Sequence, residues 1–555
     1  IRLSSQMPTG IRNTVSDLLG VAPDKVRVVV GDVGGGFGMK TGAYPEDVAV
    51  AFAARQLRGS VKWVAERSEE FLAAVHGRDL SSRAELALDA QGRVLALRVA
   101  SDANVGAYAT PTAAVIQLMI GPWVLTSVYD IPVIDFRFTA VLTNAAPVGA
   151  YRGAGRPEAI YLIERLMDAA ARATGIDPLQ LRIRNMVRPE QMPYRNPMGQ
   201  TYDSGDFPSI ARQAAQLADW DGFESRLASS RQRGRLRGRG VATFLEWTGG
   251  NVFDEQVSVT VSADGTIEIF SATQAMGQGI ATTYAQLAVD VFGVPIERIR
   301  IVQGDTDRGN GFGSAGSRSL FIGGTAIRAG AQRTVERARE LAAEQLEAAP
   351  ADIEYAQGVL RIVGTDRSID LFELAARQSS GRIDVDAGST VGGPSWPNGC
   401  HVCEVEIDPQ TGAVEIADYA SVNDVGRVVN PMIVVGQLDG GAVQGIGQAL
   451  CEQVVYEPES GQLLTGSLMD YALPRADVVA RFRTTMDQSI PCRTNPLGAK
   501  GVGELGTIGA TPAVVTAVID ALARAGAAAA AERLQMPLTA ERVWRALDSA
   551  SGPSR

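Results

Sequence analysis

The stretch Gly501-Val502-Gly503-Glu504-Leu505-Gly506-Thr507-Ile508-Gly509-Ala510-Thr511-Pro512 places one carboxylate between glycines, directly before an apolar segment. Glycine adopts backbone conformations closed to other residues and leaves room for a bulky ligand. Pro512 is expected to begin a helix, with Thr511 as its N-cap. A single carboxylate beside such an open space could act as a general base. A solvated turn can have the same sequence, so the functional interpretation depends on the other glycine-rich segments of the chain.

Six glycine-rich segments share a predicted strand–loop–helix setting. They centre on Gly34–Gly38, Gly153–Gly155, Gly277–Gly279, Gly313–Ser319, Gly440–Gln448 and Gly501–Glu504. At the start of a helix, free N–H groups and the helix dipole favour an anion or a polar ring edge. Neither a P-loop nor a GxGxxG after a first strand is present, which disfavours a nucleoside triphosphate and a Rossmann-bound NAD. Any single segment is better explained by a tight turn, but the six together predict one extended cofactor.

The composition is that of a globular protein with an acidic balance. A length of 555 residues predicts two to four domains. The net charge of −10 argues against nucleic acid as the main partner. We find no export signal and no apolar run of the roughly 18 residues that a membrane span needs. A cytoplasmic location without a membrane span is therefore expected.

The chain has four cysteines and only two histidines, which excludes a His-rich metal site. Cys400 and Cys403 form a CxxC, but the surrounding residues alternate as a strand does. Residues three apart on a strand face opposite ways, which disfavours a shared metal and favours two buried thiols. Any redox metal must therefore arrive on a cofactor.

The apolar periodicity predicts an α+β chain. Residues 1–221 are predicted as a first mixed α/β domain, 240–525 as a second, and 526–555 as a C-terminal helical tail. Residues 222–239 carry arginines among serines, which indicates a solvated linker. A nucleic-acid patch is the alternative, disfavoured because no aromatic residues interleave the arginines. The start at Ile1, close to a predicted helix, suggests a sequence that opens inside a domain through processing, a split gene or an incomplete sequence.

Local patterns predict several elements inside these domains. Val257–Val261 pairs with Thr266–Phe270 around Asp264-Gly265, a dipeptide typical of tight hairpins. A second hairpin is predicted from Val402–Ile407 and Ala413–Tyr419. Arg156-Pro157 begins an amphipathic helix, since Ile160, Ile163, Leu166 and Met167 recur on one face.

Six short motifs occur along the chain in a fixed order. They are Asp32-Val33-Gly34-Gly35-Gly36-Phe37-Gly38, Ala150-Tyr151-Arg152-Gly153-Ala154-Gly155-Arg156, Met276-Gly277-Gln278-Gly279, Gly316-Ser317-Arg318-Ser319, Val443-Gln444-Gly445 and Lys500-Gly501-Val502-Gly503-Glu504. In sequence and order they resemble the molybdenum-binding large subunit of the xanthine dehydrogenase/aldehyde oxidase family. The resemblance implies two successive mixed α/β molybdopterin-binding domains that enclose the cofactor. The family's N-terminal hammerhead domain has no counterpart in this sequence.

The resemblance also implies the cofactor and the partners. The cofactor would be molybdopterin, in bacteria usually the cytosine dinucleotide, with molybdenum held by its dithiolene and by no protein side chain. Electrons would pass to a small [2Fe-2S] subunit and to an FAD-binding medium subunit. A further polypeptide would supply the hammerhead region, and such assemblies are often dimers of heteromers.

Functional residues follow by matching this sequence to the family's motifs. The resemblance makes Glu504 the general base and places Gln6 and Arg152 beside the reacting centre. The implied cofactor-binding residues are Gly36, Phe37, Gly38, Arg182, Arg184, Gly277, Gln278, Gly279, Gly316, Ser317, Ser319, Gln444 and Gly503. The implied substrate-binding residues are Trp247, Arg152, Thr41 and Met186.

The reaction implied is hydroxylation of an aldehyde or an N-heteroaromatic ring with oxygen from water. Thr41 stands where purine-oxidising members have a glutamate, which disfavours xanthine. Tyr151-Arg152-Gly153-Ala154-Gly155 lacks the cysteine of the copper–molybdenum carbon monoxide dehydrogenases. Two alternatives stay open: an inactive scaffold or cofactor-carrying subunit of the same family, and a flavin or nicotinamide oxidoreductase, which the missing fingerprint disfavours.

Overall fold

The computed structural model describes residues 1–479 and 481–550. The α-helices span Pro8–Leu19, Pro45–Leu57, Arg67–Ala73, Pro111–Val115, Gly121–Trp123, Arg156–Thr174, Pro178–Asn185, Phe207–Leu217, Phe223–Gln232, Ile280–Phe292, Thr325–Leu346, Leu371–Ala376, Pro431–Leu450, Leu505–Arg524, Ala528–Ala531 and Ala540–Ala550. The strands span Leu80–Leu88, Val94–Gly106, Ile134–Leu142, Tyr194–Arg195, Thr201–Tyr202, Leu236–Leu245, Asp254–Ser262, Ile267–Ser271, Ile299–Val302, Ile353–Ala356, Val359–Ile362, Ser368–Asp370, Arg382–Thr390, Asn398–Ile407, Val414–Asp424 and Phe482–Asp487. Helices and mostly antiparallel sheets together confirm the α+β class.

The central sheet has four strands, in the order Phe482–Asp487, Val414–Asp424, Asn398–Ile407 and Leu236–Leu245. The first pair is parallel and the others are antiparallel. Nearly every residue of Asn398–Ile407 is buried, so both faces of this sheet are covered. Cys400 packs into one apolar cluster and Cys403 into another, which confirms that the two thiols face opposite ways.

Two further sheets belong to the two halves of the chain. In the first half, Leu80–Leu88, Val94–Gly106 and Ile134–Leu142 form a three-stranded sheet that packs on the Arg156–Thr174 helix. In the second half, a four-stranded sheet runs in the order Arg382–Thr390, Asp254–Ser262, Ile267–Ser271 and Ile299–Val302. The helices Ile280–Phe292 and Thr325–Leu346 share an apolar core with this second sheet. Both hairpins and the amphipathic helix predicted from the sequence are present.

The Leu505–Arg524 helix is the most deeply buried helix that the site depends on. By length and composition it could cross a membrane, but 94% of its apolar window is buried inside the fold, as in a core helix. The expectation that the chain has no apolar run long enough for a membrane span did not include this helix. The expected start at Pro512 is also wrong, since the helix begins at Leu505 and continues through the proline. Burial on all sides outweighs the local cost of an internal proline.

Close packing with the Pro431–Leu450 helix explains the glycines of this region. A Cβ atom on Gly506 would lie 2.0 Å from the carbonyl oxygen of Leu438. The Thr507 hydroxyl donates to the carbonyl of Gly441 at 2.9 Å. The prediction of a glycine-rich loop over Gly440–Gln448 is therefore wrong. This segment lies within a helix, and its glycines allow the two helices to pack closely.

The arginines interpreted as a solvated linker lie instead in ordered structure. Residues 222–239 include the Phe223–Gln232 helix and the beginning of the Leu236–Leu245 strand. Arg237 is buried and forms ion pairs with Glu404 and Glu406 at 2.6 and 2.8 Å. The linker prediction failed because it counted charges without knowing that carboxylates on the neighbouring strand would pair with them. The described part of the C-terminal tail contains two short helices; residues 551–555 lie outside the described residues.

We expect Gly506→Ala to destabilise the fold by more than about 2 kcal/mol, because the new methyl group has no space against the facing helix. Gly436→Ala is the matched control, since it lies in the Pro431–Leu450 helix with open space at the Cβ position. Alanine there should stabilise the helix by about 0.5–1 kcal/mol. Thermal unfolding of both variants measures the difference, and equal Tm values would contradict the packing argument.

Candidate active site

A cavity of about 910 Å³ lies where the two halves of the chain meet. Five of the six glycine-rich segments contribute to its wall, the exception being the helical Gly440–Gln448. The charged side chains among its described lining residues are Arg152, Arg156 and Glu504. Segments far apart in sequence thus converge on one space, as the prediction of a single extended ligand requires.

Glu504 lies at the cavity wall, immediately before the Leu505–Arg524 helix. One carboxylate oxygen accepts the Gly153 amide hydrogen at 2.9 Å. The other accepts from Arg156 Nη2 at 2.7 Å and from the Ser317 hydroxyl at 2.8 Å. Burial acts to raise the pKa of Glu504, but the Arg156 charge and these hydrogen bonds outweigh it and hold the pKa below its ordinary value. The carboxylate is therefore ionised at neutral pH.

Arg152 is buried and held by three elements. Its Nε donates to the carbonyl of Gly503 at 2.6 Å, and its Nη1 donates to Gln444 Oε1 at 3.1 Å. Its guanidinium lies over the ring of Phe37, 5.5 Å from the centroid. Burial lowers the pKa of Arg152, yet a guanidinium keeps its charge in proteins. A fixed positive charge therefore faces the cavity beside Glu504.

Gln6 braces the glycine-rich segment that contains Phe37. Its Nε2 donates to the carbonyl of Ser314 at 2.8 Å, and its Oε1 accepts the Gly38 amide hydrogen at 2.8 Å. A Cβ atom on Gly36 would lie 2.6 Å from Gln6 Oε1, so glycine is needed there for the contact. Thr41, which also lines the cavity, donates its hydroxyl hydrogen to the carbonyl of Gly38.

The segment Gly277–Gly279 borders the cavity at the start of a helix. The Gln278 side chain folds back on its own loop, since its Oε1 accepts the Met276 amide hydrogen at 2.6 Å. The amides of Gly277, Gln278 and Gly279 donate to no other residue in the described ranges. They precede the Ile280–Phe292 helix, where unpaired amides and the helix dipole favour an anion. This arrangement suits an anionic group of a ligand.

Part of the cavity wall is apolar and aromatic. Trp247 and Trp123 pack together with ring centroids 5.0 Å apart. Val115, Met119 and Ile120 extend this surface. A flat apolar ligand can lie against such a wall at little desolvation cost.

Several predicted cofactor and substrate residues lie elsewhere. Arg182, Arg184 and Met186 do not line the cavity. Arg182 is buried in an ion pair with Glu164 at 2.8 Å, and Arg184 donates to the carbonyl of Gln91. Met186 is buried in the core of the first half. The structure therefore does not bring these three residues to the cavity, because the other contacts of Arg182 and Met186 hold them in the core.

The other predicted cofactor-binding residues lie at the cavity or next to it. Those that line it are Gly36, Phe37, Gly38, Gly277, Gln278, Gly316, Ser317, Ser319 and Gly503. Gly279 and Gln444 adjoin it without lining it. Gln444 is engaged instead by Arg152.

Sequence reasoning missed the partners of the central carboxylate. The sequence places Arg156 in a motif and at the start of a helix but assigns it no role in the site, although Arg156 is fully buried and bridges Glu504 and Glu246. Glu246 itself was overlooked. A charged residue between Leu245 and Trp247, at the end of an apolar strand, was the available signal, because charges inside apolar runs are buried only when paired.

The described lining of the cavity contains few side chains that could bind a metal. It has one carboxylate and neither imidazole nor thiol. Within residues 1–479 and 481–550, no group of three or more His, Cys, Asp or Glu side chains is arranged to hold a metal ion. A metal in this cavity would therefore need its ligands from a bound cofactor.

We expect Arg156→Gln to lower the Tm by several degrees, because it leaves the Glu504 carboxylate without its cation and Glu246 without a donor, a change that costs about 3–5 kcal/mol. Without Arg156 the folded-state pKa values of both carboxyl groups rise. The folded state then binds protons more readily than the unfolded chain, so the loss of stability should grow as pH rises and shrink as pH falls. Arg98→Gln removes exposed ion pairs and is the control. Equal losses in both variants at every pH would contradict this assignment.

Comparisons with known proteins agree with the geometry. Two family models described as molybdopterin cofactor-binding domains match residues 1–186 and 213–480. The nicotine 6-hydroxylase large subunit of Paenarthrobacter nicotinovorans is 34% identical over 98% of this chain and 69% of its own length. The 6-hydroxypseudooxynicotine dehydrogenase complex subunit gamma of the same organism is 36% identical over 92% of this chain and 66% of its own length.

Solved structures show the same likeness. Quinoline 2-oxidoreductase from Pseudomonas putida 86 matches with a TM-score of 0.92 and 34% identity, over 99% of this chain and 72% of that one. A copper- and molybdenum-containing CO dehydrogenase matches with a TM-score of 0.91 and 31% identity, over 100% of this chain and 72% of that one. The chain spans about two thirds of the length of the curated relatives it matches. It belongs to the family of molybdopterin-binding large subunits of molybdenum-dependent hydroxylases and dehydrogenases, as its ordered motifs predicted.

Proposed function

We propose that the chain is the catalytic subunit of a molybdenum hydroxylase that adds a water-derived oxygen to an N-heteroaromatic ring or an aldehyde, with Glu504 as general base. The observation that carries the proposal is the ionised Glu504 carboxylate, held by three donors at the wall of the cavity. A base fixed in this way needs no reorganisation to accept a proton.

The cavity fits a molybdopterin, in our proposal the cytosine dinucleotide form. The free amides of Gly277 and Gln278 would hold its phosphates, and the segment around Phe37 would lie against its other end. Bound there, the cofactor supplies a molybdenum that accepts two electrons. The described lining, with one carboxylate and neither imidazole nor thiol, leaves the metal to the cofactor, so the protein's own groups would bind and orient the cofactor.

The remaining chemistry belongs to this chain's side chains. Glu504 accepts the proton released as oxygen is delivered to the substrate carbon. Arg152, fixed and poorly hydrated, stabilises negative charge that develops on the substrate. The two tryptophans orient a flat ring and keep water away from it.

This wall favours an N-heteroaromatic ring over a small aldehyde. Trp123 and Trp247 belong to an apolar part of the cavity lining that a bicyclic ring would cover more completely than an aldehyde without a ring. The names of two relatives, nicotine 6-hydroxylase and quinoline 2-oxidoreductase, point to ligands of this shape for those proteins. No cysteine occurs in Tyr151-Arg152-Gly153-Ala154-Gly155, so support for a copper–molybdenum site is missing there.

Electrons must leave the site through other polypeptides in this proposal. The curated relatives carry the names of subunits or chains of complexes. We propose a [2Fe-2S] subunit and an FAD subunit as acceptors, and a further polypeptide that supplies the hammerhead region. Cytoplasmic location stays a prediction.

An inactive scaffold has no observation in its favour, since a scaffold has no need of a buried, solvent-shielded carboxylate in a ligand cavity.

Glu504→Gln should lower kcat by about 10² to 10⁴, because the amide cannot accept the proton. The purified complex, assayed with an artificial electron acceptor and a panel of heterocycles and aldehydes, measures the effect. Molybdenum content per chain should stay unchanged, which separates loss of the base from loss of the cofactor.

Glu452→Gln is the control, because Glu452 pairs with Tyr471 outside the cavity lining. This variant should retain activity within a few-fold. A Glu504→Gln enzyme with the same turnover as the control would rule out Glu504 as the base.

Trp247→Ala should lower kcat/KM for a bicyclic N-heterocycle by about 2- to 10-fold, the effect of losing one aromatic contact of roughly 0.5–1.5 kcal/mol. A short aliphatic aldehyde should be affected less, because it cannot span the tryptophan pair. Trp63→Ala, at an exposed tryptophan outside the cavity, is the control. A uniform loss for ring and aldehyde would count against a substrate role for the aromatic wall.

A further inference from the structure

Glu504 is coupled to a second carboxyl group that does not line the cavity. Glu246 is fully buried at the end of the Leu236–Leu245 strand. The same nitrogen of Arg156 donates to Glu246 Oε1 at 3.1 Å and to Glu504 Oε2 at 2.7 Å. The same hydroxyl of Ser317 lies 3.0 Å from Glu246 Oε1 and 2.8 Å from Glu504 Oε2.

The hydrogen count at Ser317 favours an additional proton on one of the two carboxyl groups. A hydroxyl group has one hydrogen, so it can donate fully to only one of two carboxyl oxygens. Both contacts are full hydrogen bonds if one carboxyl group is protonated and donates to Ser317 Oγ. Otherwise two negatively charged carboxylates must share one hydrogen.

Glu246 is the group that carries this proton. Glu504 has three donors, including the Gly153 amide, and these stabilise its charge. Glu246 Oε2 has no hydrogen-bond partner among the described residues, and an ionised oxygen buried in this way is costly. Burial raises the pKa of Glu246 to about 8, with the Glu504 charge adding to the rise and Arg156 opposing it.

We propose that Glu246 is a positioning residue: a buried carboxylic acid at neutral pH that donates to Ser317, directs the Ser317 hydrogen to Glu504 and leaves the Arg156 charge to Glu504. The inference rests on Glu504 as the proposed general base. The charged groups that face Glu246 are Arg156 and Arg152 from the first half and Glu504 from the Leu505–Arg524 side.

The arrangement makes the site sensitive to pH. When Glu246 loses its proton, it competes with Glu504 for the Ser317 hydrogen and for Arg156. Glu504 then becomes more basic and is held by fewer donors. The pH dependence of kcat/KM should therefore show an inflection near pH 8, well above the ordinary range of carboxyl groups.

Infrared difference spectroscopy of the purified complex between about pH 6 and about pH 10 tests this directly. In the wild-type protein a protonated-carboxyl band should disappear near pH 8, and Glu246→Gln should lack that component. In the same variant the inflection in kcat/KM should vanish, because a glutamine amide donates to Ser317 at every pH. Glu255→Gln, another buried glutamate paired with an arginine, is the control and should keep both features.

The infrared measurement needs no turnover, so its outcome is separable from that of the proposed reaction. In Glu504→Gln the Glu246 band should titrate at lower pH, because a neighbouring negative charge has been removed. Ser317→Ala should also move it, which supplies a second variant if Glu246→Gln fails to assemble. The proposal is overturned if no band depends on Glu246, if that band ignores both substitutions, or if Glu246→Gln keeps the inflection.

Discussion

A buried negative charge at Glu504 is the constraint on which the site depends. A carboxylate whose side chain is only 14% exposed is stable beside a cation and hydrogen-bond donors. Arg156 begins the long helix of the first half, whereas Glu504 immediately precedes the most buried helix of the second half. Their ion pair therefore links the two halves at the cavity, beside the apolar core that both halves share.

The glycine-rich segments follow from the same geometry. A chain that must present amides to a large ligand needs backbone without side chains in the way, and conformations open mainly to glycine. At Gly36 and Gly38 this lets Gln6 and Ala150 approach closely, while the amides near Gly277 stay free for ligand. At positions 441 and 445 glycine has another role, because it allows two helices to pack in close contact. Glycine content alone does not distinguish a ligand bed from a helix crossing; the neighbouring hydrogen-bond partners do.

The sequence predicted those features that depend on local pattern. Alternation gave the hairpin around Asp264-Gly265, and motif order gave the family and most of the cavity lining. It failed where tertiary burial overrides a local rule. Pro512 lies inside a helix because apolar neighbours surround that helix, and Arg237 lies in a strand because Glu404 and Glu406 face it. Arg182 matched a motif, yet its partner Glu164 holds it in the core. No local pattern records which distant charge completes a pair.

A general base must be ionised before reaction and basic enough to take a proton, and these two demands conflict. Arg156 and the donors around Glu504 secure the first demand by lowering its pKa, which weakens it as a base. A second carboxyl group that shares Arg156 and Ser317 reduces this conflict, because its protonation state decides how much of the stabilisation reaches Glu504. Glu246 adjusts the balance without entering the cavity, so substrate and cofactor never touch it. That position explains why residue matching to known motifs overlooked it, while the hydrogen count at Ser317 reveals it.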